Sequence, residues 1–163
     1  MYLANKNLKK ILDGGCGIGA YTFLLGKTFP KAGITGGDID KYKLQSCKTI
    51  ANELNIKNVE FEYLNIAKIN DKEKYDLIVC IDVLEHIHDY ELVLRNFSKL
   101  LKNDGYLYIH APQPNQQRIF NSLKKWHHEG HTHEGIIKSE LEEKLNKLGF
   151  KIVVSKETFG FFG

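Results

Sequence analysis

Short apolar runs punctuated by glycine, proline or asparagine recur along this chain, and between them lie stretches whose apolar residues return every three or four positions. The first rhythm belongs to buried strands and the second to amphipathic helices. "KKILDGG" is an apolar run ending in glycines and predicts a buried strand. Residues 19–28 follow as a helix that stops near Pro30, and "AGITGGD" predicts a second short strand ending at Asp38. Asp40 is placed to cap a helix whose Leu44, Cys47, Ile50, Ala51 and Leu54 share one face. "NVEFEYLN" alternates and reads as a third strand. "YDLIVCID" is apolar almost throughout, the pattern of a central parallel strand covered on both faces. Residues 89–103 read as a helix with Leu92, Leu94, Phe97, Leu100 and Leu101 on its apolar side and Gly105 past its end. "YLYIHAP" is the fifth strand. Pro112 to about Ile137 is irregular, "SELEEKLNKLG" is a helix closed by Gly149, and "FKIVVSKE" is a sixth strand.

This alternation predicts an α/β fold: a Rossmann-like, doubly wound, mostly parallel sheet of about six strands with helices on both faces, in three layers. Ligands bind such sheets at the carboxyl ends of the strands, near the point where the strand order reverses. A length of 163 residues fits one domain over 1–163, and 42% hydrophobic against 26% charged residues supplies a core with a solvated surface. No apolar run approaches the roughly 20 residues of a membrane helix, and "MYLANKNLKK" lacks the apolar segment of a signal peptide. Cys16, Cys47 and Cys80 are far apart and odd in number, which predicts reduced thiols and a cytoplasmic location. A net charge of +3, from 23 basic and 20 acidic residues, is too balanced to predict a nucleic-acid partner.

The first strand hands over to its helix through Asp13–Gly19, which holds Gly14, Gly15, Gly17 and Gly19. Glycine lets a ligand touch the main chain, and the helix start offers unpaired N–H groups. Asp38, ending the second strand, is placed to accept hydrogen bonds from ribose hydroxyls. Gly15, Gly17 and Ala20 also satisfy the dinucleotide spacing G-x-G-x-x-A. Asp13 argues against that reading, because a carboxylate there repels a pyrophosphate and welcomes an ammonium or a sulfonium.

"ILDGGCGIG" resembles the first motif of the class I S-adenosylmethionine-dependent methyltransferases, and "GGDID" resembles their second. "YDLIVCIDVLEHIHDYELVLRNFSKLLKNDGYLYIHAP" resembles their fourth and fifth strands with the intervening helix. The resemblance runs from about Leu8 to Val154 and is strongest to the small-molecule methyltransferases of the type 11 kind. It implies S-adenosylmethionine as cofactor and a small molecule, lipid or glycan precursor as methyl acceptor. Gly15, Cys16, Gly17 and Gly19 would line the methionine tail, with Asp13 holding its amino group directly or through water. Asp38 would take the ribose and Ile39 would pack on the adenine. Asn65, with Ile66, falls where the family often has an acid near the adenine amino group. Ile81 and Asp82 would border the methionyl and sulfonium region. Glu85 and His86 lie beside the site in related enzymes, and equally suit the start of a helix.

"WHHEGHTHEG" contains His127, His128, His131 and His133. Its glycines argue against a metal site, and no metal is expected. It resembles a lid or acceptor loop over 112–137, with His131, Glu134 and Gly135 matching; His133, Ile136 and Ile137 replace the family's arginine, aromatic and capping hydroxyl. Where the acceptor carries a proton, His131 is the first candidate base and His86 the second, with His110 and His133 also titrating in range. The family's seventh strand has no counterpart here, so the expectation is a domain shortened at both ends, with Phe159, Phe161 and Phe162 offering a self-association surface. Two alternatives stay open: a nicotinamide-dependent oxidoreductase and a cofactor-binding module without activity.

Overall fold

The computed structural model describes residue 3 and residues 6–69, 74–114 and 135–157. Five strands, β1 (Lys10–Gly14), β2 (Gly33–Asp38), β3 (Val59–Tyr63), β4 (Tyr75–Ile81) and β5 (Leu101–His110), form one sheet in the order β3-β2-β1-β4-β5. Every pairing is parallel. The order reverses between β1 and β4, so the crevice of this Rossmann-like sheet opens above Asp13 and Ile81.

The central strands are mostly apolar because each covers two cores. Ile11, Ile34, Leu77 and Val79 pack with Phe29 and Ala32 on one side. Leu12, Ile78 and Cys80 pack with Val93, Leu94, Phe97 and Leu100 on the other. Successive side chains point to opposite faces, so both sets of positions are mostly apolar, with Asp13 and Thr35 as buried polar exceptions. Among the described residues the helices are α1 (Ala20–Thr28), α2 (Lys41–Glu53), α3 (Tyr90–Leu100) and α4 (Lys138–Lys147), with one 3₁₀ turn at Leu84–His86. Asp40 caps α2 as expected, accepting from the amides of Tyr42 and Lys43. α2 buries Leu44, Cys47 and Ala51 but leaves Ile50 and Leu54 exposed. Gly149 stops α4 in the left-handed conformation, with Gly149 N donating to Asn146 O and Phe150 N to Leu145 O.

Two expectations are corrected. The third helix ends at Leu100 rather than running to residue 103, and Gly105 lies inside β5. Pairing with β4 outcompetes the helix: Tyr75 faces Leu101, Leu77 faces Tyr106, and the intervening residues 102–105 bulge opposite Asp76. The bulge is anchored by an ion pair between Lys102 Nζ and Asp76 Oδ1 at 2.6 Å, while Asp76 Oδ2 accepts from the amides of Lys9 and Lys10. Residues 150–157 are not a strand, so the described sheet has five strands and not six. A β-prone segment becomes a strand only with a ladder partner. Among the described residues β5 pairs with β4 alone, and Val153 and Val154 are exposed.

Asn58 closes the link between α1 and β2, its side-chain amide donating to Gly26 O at 2.9 Å and Ala32 O at 3.2 Å. Asn58→Ala leaves both carbonyls without that donor and is expected to cost about 1–3 kcal/mol by chemical denaturation.

Candidate functional site

The turn from β1 into α1 is tied to β2 by main-chain bonds. Gly15 N and Cys16 N both donate to Gly37 O, at 2.8 and 3.0 Å. Gly17 N donates to Asp38 Oδ2 at 2.8 Å, and Asp40 N to Asp38 Oδ1 at 2.8 Å. Asp38 therefore shapes the turn as well as facing the crevice, and each of its oxygens retains a lone pair for a further donor. Gly15 and Gly17 both sit in the left-handed region, with φ of 85° and 52°. A Cβ at Gly15 would lie 2.4 Å from Val83 Cγ2, whereas one at Gly17 would meet nothing within 4 Å. The first glycine is thus required by packing, and the second leaves bare main chain facing open space.

Asp13 lies beneath this turn, 2% exposed, and accepts a hydrogen bond from Thr22 Oγ1 at 2.6 Å. Burial pushes its carboxyl from the ordinary 3.8 up to about 6; the Thr22 bonds oppose this and the nearby Asp38 charge adds to it. Cys16 and Cys47 flank the turn. Burial pushes the Cys16 thiol up to about 12 and raises Cys47 as well, so neither is a thiolate near neutrality.

Ile39 stands beyond Asp38, 61% exposed, as an apolar surface at the crevice rim. Asn65 and Ile66 part company. Asn65 Oδ1 accepts from Ala67 N at 3.0 Å, closing its own turn. Ile66 is buried in the core, its carbonyl held by Asn96 Nδ2 at 2.9 Å. Ile81 ends β4 and Asp82 follows at a φ of 53°. Glu85 is buried in the 3₁₀ turn, where desolvation raises its carboxyl pKa, while His86 is exposed. His131 lies outside the described residues, as do Phe159, Phe161 and Phe162. Of the segment 112–137 only the ends are described; Ile136 N donates to Pro112 O at 2.8 Å, and the Ile136 side chain enters the core. Ile137 stands at the N-cap of α4 without a side-chain cap. Among the described residues no group of three or more His, Cys, Asp or Glu is gathered to hold a metal.

Sequence reading did not pair Asp82 with His110. Asp82 Oδ1 lies 2.7 Å from His110 Nδ1, and Asp82 N donates to His110 O at 3.0 Å. Their contact follows from the β4–β5 register, in which Ile81 faces His110. It also missed Val83, whose side chain supports Gly15.

A protein-family profile described as a methyltransferase domain matches residues 5–159. The chain belongs to the class I S-adenosylmethionine-dependent methyltransferase family. This decides against the nicotinamide oxidoreductase. Among curated relatives of this methyltransferase domain, the malonyl-[acyl-carrier protein] O-methyltransferase of Bacillus anthracis is 36% identical over 106 residues, 65% of this chain and 38% of that one. The (S)-coclaurine N-methyltransferase of Papaver somniferum is 29% identical over 104 residues, covering 64% of this chain and 30% of the relative. The methyltransferase domain thus spans well under half the length of either. A crystal structure of coclaurine N-methyltransferase bound to N-methylheliamine and SAH superposes with a TM-score of 0.61 at 27% identity, over 66% of this chain and 34% of that chain. No helix among the described residues is long and apolar enough to cross a membrane.

Proposed function

We propose that this domain binds S-adenosylmethionine in the crevice above β1 and β2 and serves methyl transfer to a small-molecule acceptor. The observation that carries the reading is the bare main chain at Gly17 set beside Asp38, over a buried Asp13. These groups fit the cofactor. Asp38 is a carboxylate with spare lone pairs for ribose hydroxyls, and its hold on Gly17 N keeps the turn in shape for that contact. Gly15, Cys16, Gly17 and Gly19 line the turn for the methionine tail; their N–H groups are bonded within the turn and to β2, so polar contact there falls to main-chain carbonyl oxygens. Asp13 acts from below as a negative charge toward the ammonium; at 2% exposure its influence is through the turn or through water. Ile39 supplies an apolar face for adenine, and the Asn65–Ile66 backbone borders its edge. Ile81 and Asp82 border the reacting end.

When bound, S-adenosylmethionine supplies a methyl group on a sulfonium, already activated toward displacement. The protein's share is alignment and exclusion of water. A base is needed only where the acceptor carries a proton. His86, exposed in the 3₁₀ turn after β4, and His131 are the candidate bases carried from the sequence. The three buried free thiols support a reducing, cytoplasmic setting.

Calorimetric titration tests the reading. S-adenosylhomocysteine is expected to bind and NAD is not. Asp38→Asn keeps one carbonyl oxygen for the turn but removes the charge and an acceptor for the ribose. It is expected to weaken binding by about 10- to 100-fold, the worth of a charged hydrogen bond. Asp38→Ala is a poorer probe, because it also strips the partners of Gly17 N and Asp40 N. Unchanged affinity in a folded Asp38→Asn variant places the ribose elsewhere. Binding without any methyl transfer across an extract of small molecules selects the inactive module instead.

A further inference from the structure

His110 and Asp82 meet at the carboxyl ends of adjacent strands, on the side of the sheet's reversal where ligands enter. Their 2.7 Å contact joins Nδ1 of the imidazole to a carboxylate oxygen. In the neutral ring the Nδ1 hydrogen goes to the carboxylate, and Nε2 is left with the lone pair. Asp82 holds this position from a left-handed backbone, φ 53°, which a residue with a Cβ adopts at a cost of about 1 kcal/mol. The next residue, Val83, packs on Gly15, so the pair is coupled rigidly to the glycine turn. Both side chains remain open to a ligand, at 42% exposure for His110 and 55% for Asp82. Among the described residues, Glu85 and His86 of the 3₁₀ turn and the buried Cys80 of β4 are titratable groups that interact electrostatically with the pair or with each other.

We propose that His110, oriented by Asp82, is the general base for an acceptor whose reacting atom carries a proton: an alcohol or phenol O–H, or a protonated amine. This rests on the cofactor reading above. The acceptor's proton passes to His110 Nε2. The electron pair it leaves forms the new bond to the methyl carbon, and the sulfur–methyl bond breaks with its pair retained by sulfur. The imidazolium is stabilised by Asp82 and later loses its proton to water. Glu85 is buried in the adjoining 3₁₀ turn, where desolvation raises its carboxyl pKa.

The test needs no acceptor. The imidazoles of the ¹⁵N-labelled protein are titrated by NMR in complex with S-adenosylhomocysteine and, separately, with S-adenosylmethionine, the His110 signals being assigned by their loss in His110→Gln. The neutral His110 is expected as the Nδ1-protonated tautomer. Its titration midpoint is expected about half to one unit lower in the S-adenosylmethionine complex, because a sulfonium beside Nε2 opposes protonation and a neutral thioether does not. Asp82→Asn, which suits a left-handed backbone and is expected to fold, should shift the tautomer balance in both complexes. A purely structural staple between β4 and β5 would titrate identically with either ligand. Equal midpoints in two formed complexes, or a neutral Nε2-protonated ring, overturn the base assignment while leaving the cofactor site standing. Failure of both ligands to bind overturns the cofactor reading, and the base falls with it.

Discussion

Gly15→Ala is expected to lose about 3 kcal/mol of stability, the sum of left-handed strain and overpacking. Gly17→Ala is expected to lose only about 1 kcal/mol, from the strain alone. Both residues have positive φ, but the new Cβ at position 15 would sit 2.4 Å from one Val83 methyl and 2.8 Å from the other. Valine has no flexible end that can swing aside, so either the turn or the segment after β4 must move. At position 17 the same carbon enters open space. The functional order is reversed relative to stability: Gly17→Ala is expected to melt close to the parent yet lose at least tenfold in S-adenosylhomocysteine affinity, because its methyl occupies the approach to the main chain. Chemical denaturation and calorimetry on the two variants check this. Val83→Ala in the Gly15→Ala background should recover the packing share of the loss and leave the backbone share. A Gly17→Ala variant that binds as the parent does would remove Gly17 from the site.

The second large effect is a pH dependence centred on Asp13. Its carboxyl is pushed to about 6 in the folded chain, against 3.8 for an ordinary aspartate. The folded state therefore holds this proton more tightly than the unfolded state. Its contribution to stability is greatest below about 4, declines as the pH rises to about 6, and is flat above that. The full decline is about 3 kcal/mol. Asp13→Asn removes this slope, so the stability of the variant relative to the parent should climb between pH 4 and 6.5 whatever the fixed cost of the new amide. Ligand binding has the opposite sense. A ligand ammonium over Asp13 favours the carboxylate, so parent affinity for S-adenosylhomocysteine should fall about tenfold from pH 7 to pH 5. Asp13→Asn should bind more weakly at pH 7 and show no such fall. A parallel pH response in parent and variant would assign the titration to another group.

What was legible in the sequence was local. The β1 run, the glycine turn, the Asp40 cap and the Gly149 stop are each encoded within a few residues, and the structure forms them where the pattern put them. The candidate site was legible for the same reason: Asp13, the glycines and Asp38 sit at the ends of two such strands, and the parallel pairing of Asp13 with Gly36 and Gly14 with Gly37 sets those ends side by side. Whatever depended on partners distant in sequence was decided by the tertiary structure. Apolarity continued past Leu100, and a helix pattern ran on with it; only the β4 ladder showed that Leu101 belongs to β5. The residues 150–157 have strand composition, but composition supplies no neighbour to bond with. The sequence places Ile66 with Asn65 near the adenine amino group; which way its side chain faces was decided by α3, where Phe97 packs in the same core cluster and Asn96 bonds the Ile66 carbonyl. Asp82 and His110 stand 28 residues apart, and four bulged residues opposite Asp76 set the register that joins them. Side-chain periodicity reports which face a residue takes. Long-range register depends on how whole elements close over a shared core, and that free energy is not written in any single stretch of the chain.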